Sequence, residues 1–101
     1  MIELKPGMKA VVVGLGKSGL AAVRYLHEQG LEVAVSEYRK AISVDELAVL
    51  TKCGAALESG GHTAFFFADA DIIVPSPGVP ADLQVLVDAR ERGVPVLGEL
   101  A

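Results

Sequence analysis

The stretch Val11-Val12-Val13-Gly14-Leu15-Gly16-Lys17-Ser18-Gly19 restricts the fold more than any other part of the chain. Three β-branched residues in succession suit a strand buried on both faces, as the central strand of a parallel sheet is. Gly14 permits a tight turn, Gly16 lets a phosphate approach bare backbone, and Gly19 removes a side chain where the next helix crosses the strand. The start of that helix offers unpaired N–H groups and a positive dipole end to an anion. A bare G-x-G-x-x-G is weak, and the strand before it and the helix after it give it weight. Ser18 either donates its hydroxyl to a phosphate or caps the helix, and the two roles are compatible. Lys17 is not the lysine of an ATP-type phosphate loop. Only three residues separate Gly14 from Ser18, and G-x-x-x-x-G-K-[ST] is absent.

Apolar and turn-forming residues set out the rest. Met1 to Lys9 is a polar lead-in broken by Pro6-Gly7, and Ala10 to Val13 is the first strand. A helix over about Lys17 to Gln29 puts Gly19, Val23, Leu26 and Gly30 on one face, with Gly30 at its left-handed end. Glu32 to Ser36 is the second strand. Ser43-Val44-Asp45-Glu46 is a capping box, opening a helix expected to turn Val44, Leu47 and Leu50 inward until Gly54 stops it. Ala55 to Glu58 is a short edge strand, and Thr63 to Ala68 fits either a helical turn or an extended run. Asp71 to Val74 is a buried strand, followed by a loop over Pro75 to Pro80. A helix over about Asp82 to Arg92 buries Leu83, Leu86 and Val87, and Val94 to Leu97 is a last strand, at an edge because of Pro95.

Alternating strands and helices imply parallel strands joined by crossovers. The expectation is an α/β, Rossmann-like, three-layer fold, one domain over residues 1–101, with a five-stranded parallel sheet in order 3-2-1-4-5 and helices on both faces. Ligands of such sheets bind beyond the carboxyl ends of the strands at the switch point. Three segments fall there: the glycine turn, Glu37-Tyr38-Arg39, and Ser76-Pro77-Gly78.

Glu37 ends the second strand 18 residues after Gly19, where an acid takes ribose hydroxyls or is a solvated turn residue. Arg39 pairs with a phosphate or lies in solvent, and Tyr38 stacks on a base or only covers a strand end. Pro77 holds Ser76 extended and Gly78 allows close approach, which suits a loop pressed against a ligand. His27, His62 and Cys53 have no metal-ligand spacing, and no nucleophile–base pair is visible, so neither a catalytic residue nor a metal site is expected. The net charge of −4 comes without a basic stripe, which argues against nucleic acid. Apolar runs are too short for a membrane span, and the N-terminus lacks the order of a secretory signal. A lone Cys53 excludes an internal disulfide and fits a reducing compartment, so a cytoplasmic protein is expected.

Three blocks of the chain resemble the N-terminal domain of the Mur ligases. They are Val12 to Leu20, Ser59-Gly60-Gly61-His62, and Ala70 to Pro80 with its Ser-Pro-Gly after the fourth strand. The closing Gly98-Glu99-Leu100 resembles that family's passage to its next domain, and Gly14 to Gly19 looks most like the D-glutamate-adding members. The resemblance implies a cytoplasmic step of peptidoglycan synthesis. There ATP, with Mg2+, phosphorylates the carboxylate of UDP-MurNAc-L-alanine, and the amine of D-glutamate displaces the phosphate. It also implies that this domain binds the UDP moiety. Gly14, Leu15, Gly16, Lys17, Ser18 and Gly19 would line the pyrophosphate and uridine, with Glu37, Tyr38 and Arg39 at uracil and ribose, and Ser76, Pro77 and Gly78 on the far side. One departure is Glu37-Tyr38-Arg39 itself, where the family often has Asp, a small polar residue and Arg.

The other departure is length. The resemblance implies a central ATP-binding domain and a C-terminal domain that these 101 residues do not include. The chain is therefore expected to be an inactive N-terminal piece of an enzyme, with no cofactor of its own and those domains as its partners. The alternative is an NAD- or FAD-binding domain of a dehydrogenase or regulatory module. It shares Gly14 to Gly19 and Glu37 but gives no reason for Ser76-Pro77-Gly78.

Overall fold

The valine run forms the middle of the sheet. In the computed structural model, which describes residues 3–98, strand β1 (Lys9–Val13) lies between β2 (Glu32–Glu37) and β4 (Ile72–Pro75), and β3 (Ala56–Ser59) flanks β2. All pairings are parallel and the order is β3-β2-β1-β4. Val12 sits between Val35 and Val74 in register. Its face, with Ala10, Val33, Val35 and Val74, packs against Val23 and Leu26 of helix α1 (Gly16–Glu28) and Leu50 of α2 (Val44–Lys52). Val11 and Val13 face the other way, onto Phe67 of α3 (Ala64–Phe67) and Val85, Leu86 and Ala89 of α4 (Gln84–Glu91). Each fully buried valine of this run contributes roughly 1.5–3 kcal/mol over an exposed one.

The sheet has four strands, not the expected five. The fifth is reduced to one parallel bridge, Ile73 to Val96, in which Ile73 donates to Pro95 O at 2.9 Å and receives from Leu97 N at 2.8 Å. The next bond at either end of that ladder would need the N–H of Pro95 or of Pro75, and proline has none. Pro75 itself belongs to β4, opposite Val13, so the strand runs one residue into the expected loop. Its missing donor faces the vestigial side, which is why the ladder to β1 survives.

Helix faces differ in two places. On α2, Val44 is 82% exposed and Leu47 is also exposed, whereas Glu46 and Leu50 are buried. The capping box draws Glu46 inward, and the buried stripe runs through positions 46 and 50 instead of 44, 47 and 50. On α4, Leu83 is the N-cap and Leu83 and Val87 are half-buried, while Val85, Leu86 and Ala89 carry the core. The ambiguous segment forms the short helix α3, which buries Phe67 and leaves Phe65 in solvent. Gly30 closes α1 with φ 84°, as a left-handed terminal residue. Among the described residues no helix is long and apolar enough to cross a membrane. Of the closing motif, Glu99 and Leu100 lie outside the described residues.

Candidate functional site

The glycine turn leaves β1 at the carboxyl edge of the sheet and is held from three sides. Gly14 N donates to Ser36 O of β2 at 2.9 Å, and Ser76 Oγ, just past β4, donates to Gly14 O at 3.0 Å. Leu15 N donates to Glu37 Oε1 at 2.7 Å. The three segments expected at the switch point are thus brought onto one another. Gly14 and Gly16 have φ of 91° and 83°, the left-handed region that favours glycine. A Cβ on Gly16 would meet nothing, so the backbone there is open to an approaching group. A Cβ on Gly19 would lie 2.2 Å from Gly14 O, which gives that glycine its structural necessity.

Helix α1 begins at Gly16 with Leu15 as N-cap and no side-chain cap bond. Ser18 is therefore not the cap, and its exposed hydroxyl, like the exposed Lys17, stands at the mouth of the first turn. Ser76, Pro77, Gly78 and Val79 form a β-turn closed by Val79 N to Ser76 O at 3.2 Å, with Pro and a φ 93° glycine at its centre as a type II turn requires. A cleft of about 380 Å³ between the start of α1 and this turn is lined by residues including Ser18, Tyr25, Ser76 and Pro77.

At the β2 end the structure adds a residue that the sequence reading treated only as a cap. Glu46 Oε1 accepts from Ser43 N at 3.0 Å, while Oε2 accepts from Arg39 Nη2 at 2.8 Å and from Gly16 N at 3.4 Å. Glu37 turns inward: besides Leu15 N it accepts Arg39 N at 2.8 Å, and its Oε2 lies 3.4 Å from Arg39 Nε. Neither acid points freely into solvent. The Arg39 hydrogen bond, with those of the Ser43 cap, holds the Glu46 carboxyl down at about 2. Burial pushes Glu37 up, but the N–H groups of Arg39 and Leu15 and the guanidinium charge outweigh it, and its pKa is lowered. The same contacts, Glu46 first, raise Arg39. Tyr38 is 77% exposed, covering no strand end.

A second polar group lies beneath this edge. Ser36 Oγ donates to Glu58 Oε2 at 2.8 Å and lies 2.6 Å from His62 Nδ1, so the imidazole supplies the proton of that second contact. Thr63 closes the group with hydrogen bonds from its N–H and hydroxyl to Glu58. A serine beside a histidine invites a nucleophilic reading. Ser36 is 0% exposed, however, and its proton is committed to Glu58, so no substrate reaches it. The group anchors the loop instead, and Gly60 N bonds Glu37 O and Arg39 O at 2.9 and 3.0 Å. The signal for it was Glu58 four residues before His62, at the end of an edge strand beside Ser36.

Fold and turn together define a Rossmann-like α/β domain. Precorrin-2 dehydrogenase SirC superposes on the whole chain and 49% of its own length with TM-score 0.68 at 15% identity, which shows the fold alone. The chain belongs to the Mur ligase MurD-like N-terminal domain family, whose model matches residues 8–98. Among its curated relatives, the UDP-N-acetylmuramoylalanine--D-glutamate ligase of Acidobacterium capsulatum is 47% identical over 98% of this chain and 22% of its own length. The enzyme of the same name from Desulfosudis oleivorans is 47% identical over 91% and 20%. The chain thus spans about a fifth of the length of these relatives.

Proposed function

We propose that this domain binds the UDP moiety of UDP-MurNAc-L-alanine as part of a cytoplasmic D-glutamate-adding ligase of peptidoglycan synthesis. The observation that carries the reading is the meeting of three segments at the switch point. The glycine turn is joined to Glu37 at Leu15 and to Ser76 at Gly14. A pyrophosphate approaches the open side of Gly16 and the N–H groups of Lys17 and Ser18, with the Lys17 ammonium as counter-charge. The nucleoside lies toward Tyr38 and Arg39, and Pro77-Gly78 closes the opposite wall. The family match supports a ligase over the dehydrogenase alternative. The dinucleotide reading gives Ser76 its bond to Gly14 O but assigns no ligand contact to Pro77-Gly78.

The ATP and Mg2+ that the resemblance implies are assigned, on this reading, to parts of the ligase other than this turn. The turn lacks the G-x-x-x-x-G-K-[ST] pattern with which an ATP-type loop holds a triphosphate and its metal. The nucleoside triphosphate belongs to a part of the ligase beyond these residues, and its partners are the central and C-terminal domains. The test is an amide-resolved NMR titration of the chain with UDP-MurNAc-L-alanine, UDP and NAD in parallel. Uridine ligands are expected to shift Gly14 to Gly19 at lower concentration than NAD. With only one domain contributing, affinity should be millimolar to high micromolar, about 4–6 kcal/mol. Gly16→Val, which sets a branched side chain where the phosphate lies, removes binding. NAD acting at lower concentration than either uridine ligand overturns the reading.

A further inference from the structure

Glu46 is a buried carboxylate, 8% exposed, on a helix whose other first-turn acid, Asp45, is in solvent. A capping box needs only Oε1, which accepts from Ser43 N. The second oxygen is engaged elsewhere, on Arg39 Nη2 and Gly16 N. One side chain of α2 therefore joins the β2 end of the site to the glycine turn. Arg39 is gripped along Nε and Nη2 by Glu37 and Glu46, and its Nη1 makes no hydrogen bond to the described residues.

We infer that Glu46 is a positioning residue of the nucleotide site, fixing the Arg39 guanidinium and the Gly16 end of the turn in one spatial relation before ligand arrives. The inference rests on the nucleotide-binding reading above. Two consequences follow from the contacts. A guanidinium with 51% of its side chain exposed would otherwise lose rotamer freedom on binding, and fixing it beforehand removes that cost. The carboxylate also stands on the Gly16 N–H with a full negative charge, so it repels an anion there and moves the phosphate toward Lys17 and Ser18. Glu46 thus favours the nucleoside end of a ligand and disfavours a bare phosphate.

This opposition separates positioning from mere support of the fold. Glu46→Gln keeps the capping box, because a glutamine oxygen still accepts from Ser43 N, but it loses the charge facing Arg39 and Gly16. Ser43→Ala weakens the helix start while leaving those two contacts in place. Affinities for UDP and for inorganic pyrophosphate are read by NMR titration of wild type and both variants. The expected result for Glu46→Gln is about a five- to tenfold loss of UDP affinity with pyrophosphate affinity unchanged or raised. Ser43→Ala should hold both ligands within about twofold, a change well under the tenfold that 1.4 kcal/mol represents. In the ligand-free protein, the Arg39 Nε–H and Gly16 amide resonances should move in Glu46→Gln and stay in Ser43→Ala.

Wild-type UDP affinity in Glu46→Gln overturns this inference alone, as does an equal loss of both ligands or an unmoved Arg39 resonance. Failure of wild type to bind UDP at all overturns the nucleotide reading and takes this inference with it.

Discussion

Gly16 and Gly19 separate two uses of the same residue type within one turn. At Gly16 a side chain would be strained by φ 83° but would touch nothing, whereas at Gly19 it would be driven to 2.2 Å from a backbone oxygen. The first cost is about 1–2 kcal/mol, that of a left-handed non-glycine residue. The second requires α1 to move off β1, at the upper end of the roughly 1–3 kcal/mol that overpacking costs, because the atom met is backbone. Gly19→Ala should therefore be clearly less stable than Gly16→Ala in denaturant titrations, and equal stabilities would refute the close approach. Both glycines were readable in the sequence because their spacing after a strand encodes the turn. Glu46 was half readable. Its place three residues after Ser43 announced the cap, but nothing local says that its second oxygen reaches Arg39, seven residues back across a loop. Glu37 shows the opposite limit, since its position at the strand end was legible and the inward turn of its carboxylate onto Leu15 N was not.

Helix α2 and the missing fifth strand show how polar constraints override apolar patterning. Val44 and Leu47 lie at good helical spacing with Leu50, yet burying Glu46 rotates the helix so that both are exposed. The cap and the Arg39 pair supply the compensation that a buried carboxylate demands. This coupling depends on pH in a definite sense. The Glu46 carboxyl is held at about 2 in the folded state, below its ordinary 4.5, so its contribution is fully present above about 4.5. It is lost as pH falls from there through about 2. With Arg39 half in water the contribution is discounted to about 0.5–1 kcal/mol. Wild type should exceed Glu46→Gln in stability by that amount at pH 7, and the gap in denaturation midpoints should narrow markedly at pH 3. A gap that stays constant would show that charge is not what holds α2. The fifth strand failed for an equally local reason. Val94 to Leu97 reads as a strand and keeps only the Val96 bridge, because Pro95 and Pro75 remove the two donors that would make it a ladder, and a strand-by-strand reading sees only one of them.

At the scale of the whole molecule, the polar groups at the carboxyl edge are spent on holding the edge together. Ser36 gives its proton to Glu58, Glu37 serves Leu15 and Arg39, and Glu46 serves Arg39, Gly16 and Ser43. On the proposed reading, an edge held in this way is preorganised to receive a ligand. The chain spans about a fifth of the length of the ligases it matches, and the division of labour we propose leaves phosphoryl transfer to other parts of such an enzyme. Purified 101-residue chain, incubated with ATP and Mg2+ and then with UDP-MurNAc-L-alanine and D-glutamate added, should release phosphate no faster than a buffer blank. The amides of Gly14 to Gly19 should shift with UDP in the same sample, which separates a folded binding domain from an inert preparation. Phosphate release above the blank that disappears in Gly16→Val would place ATP chemistry in the glycine turn, and the assignment of this edge to substrate binding alone would then fall.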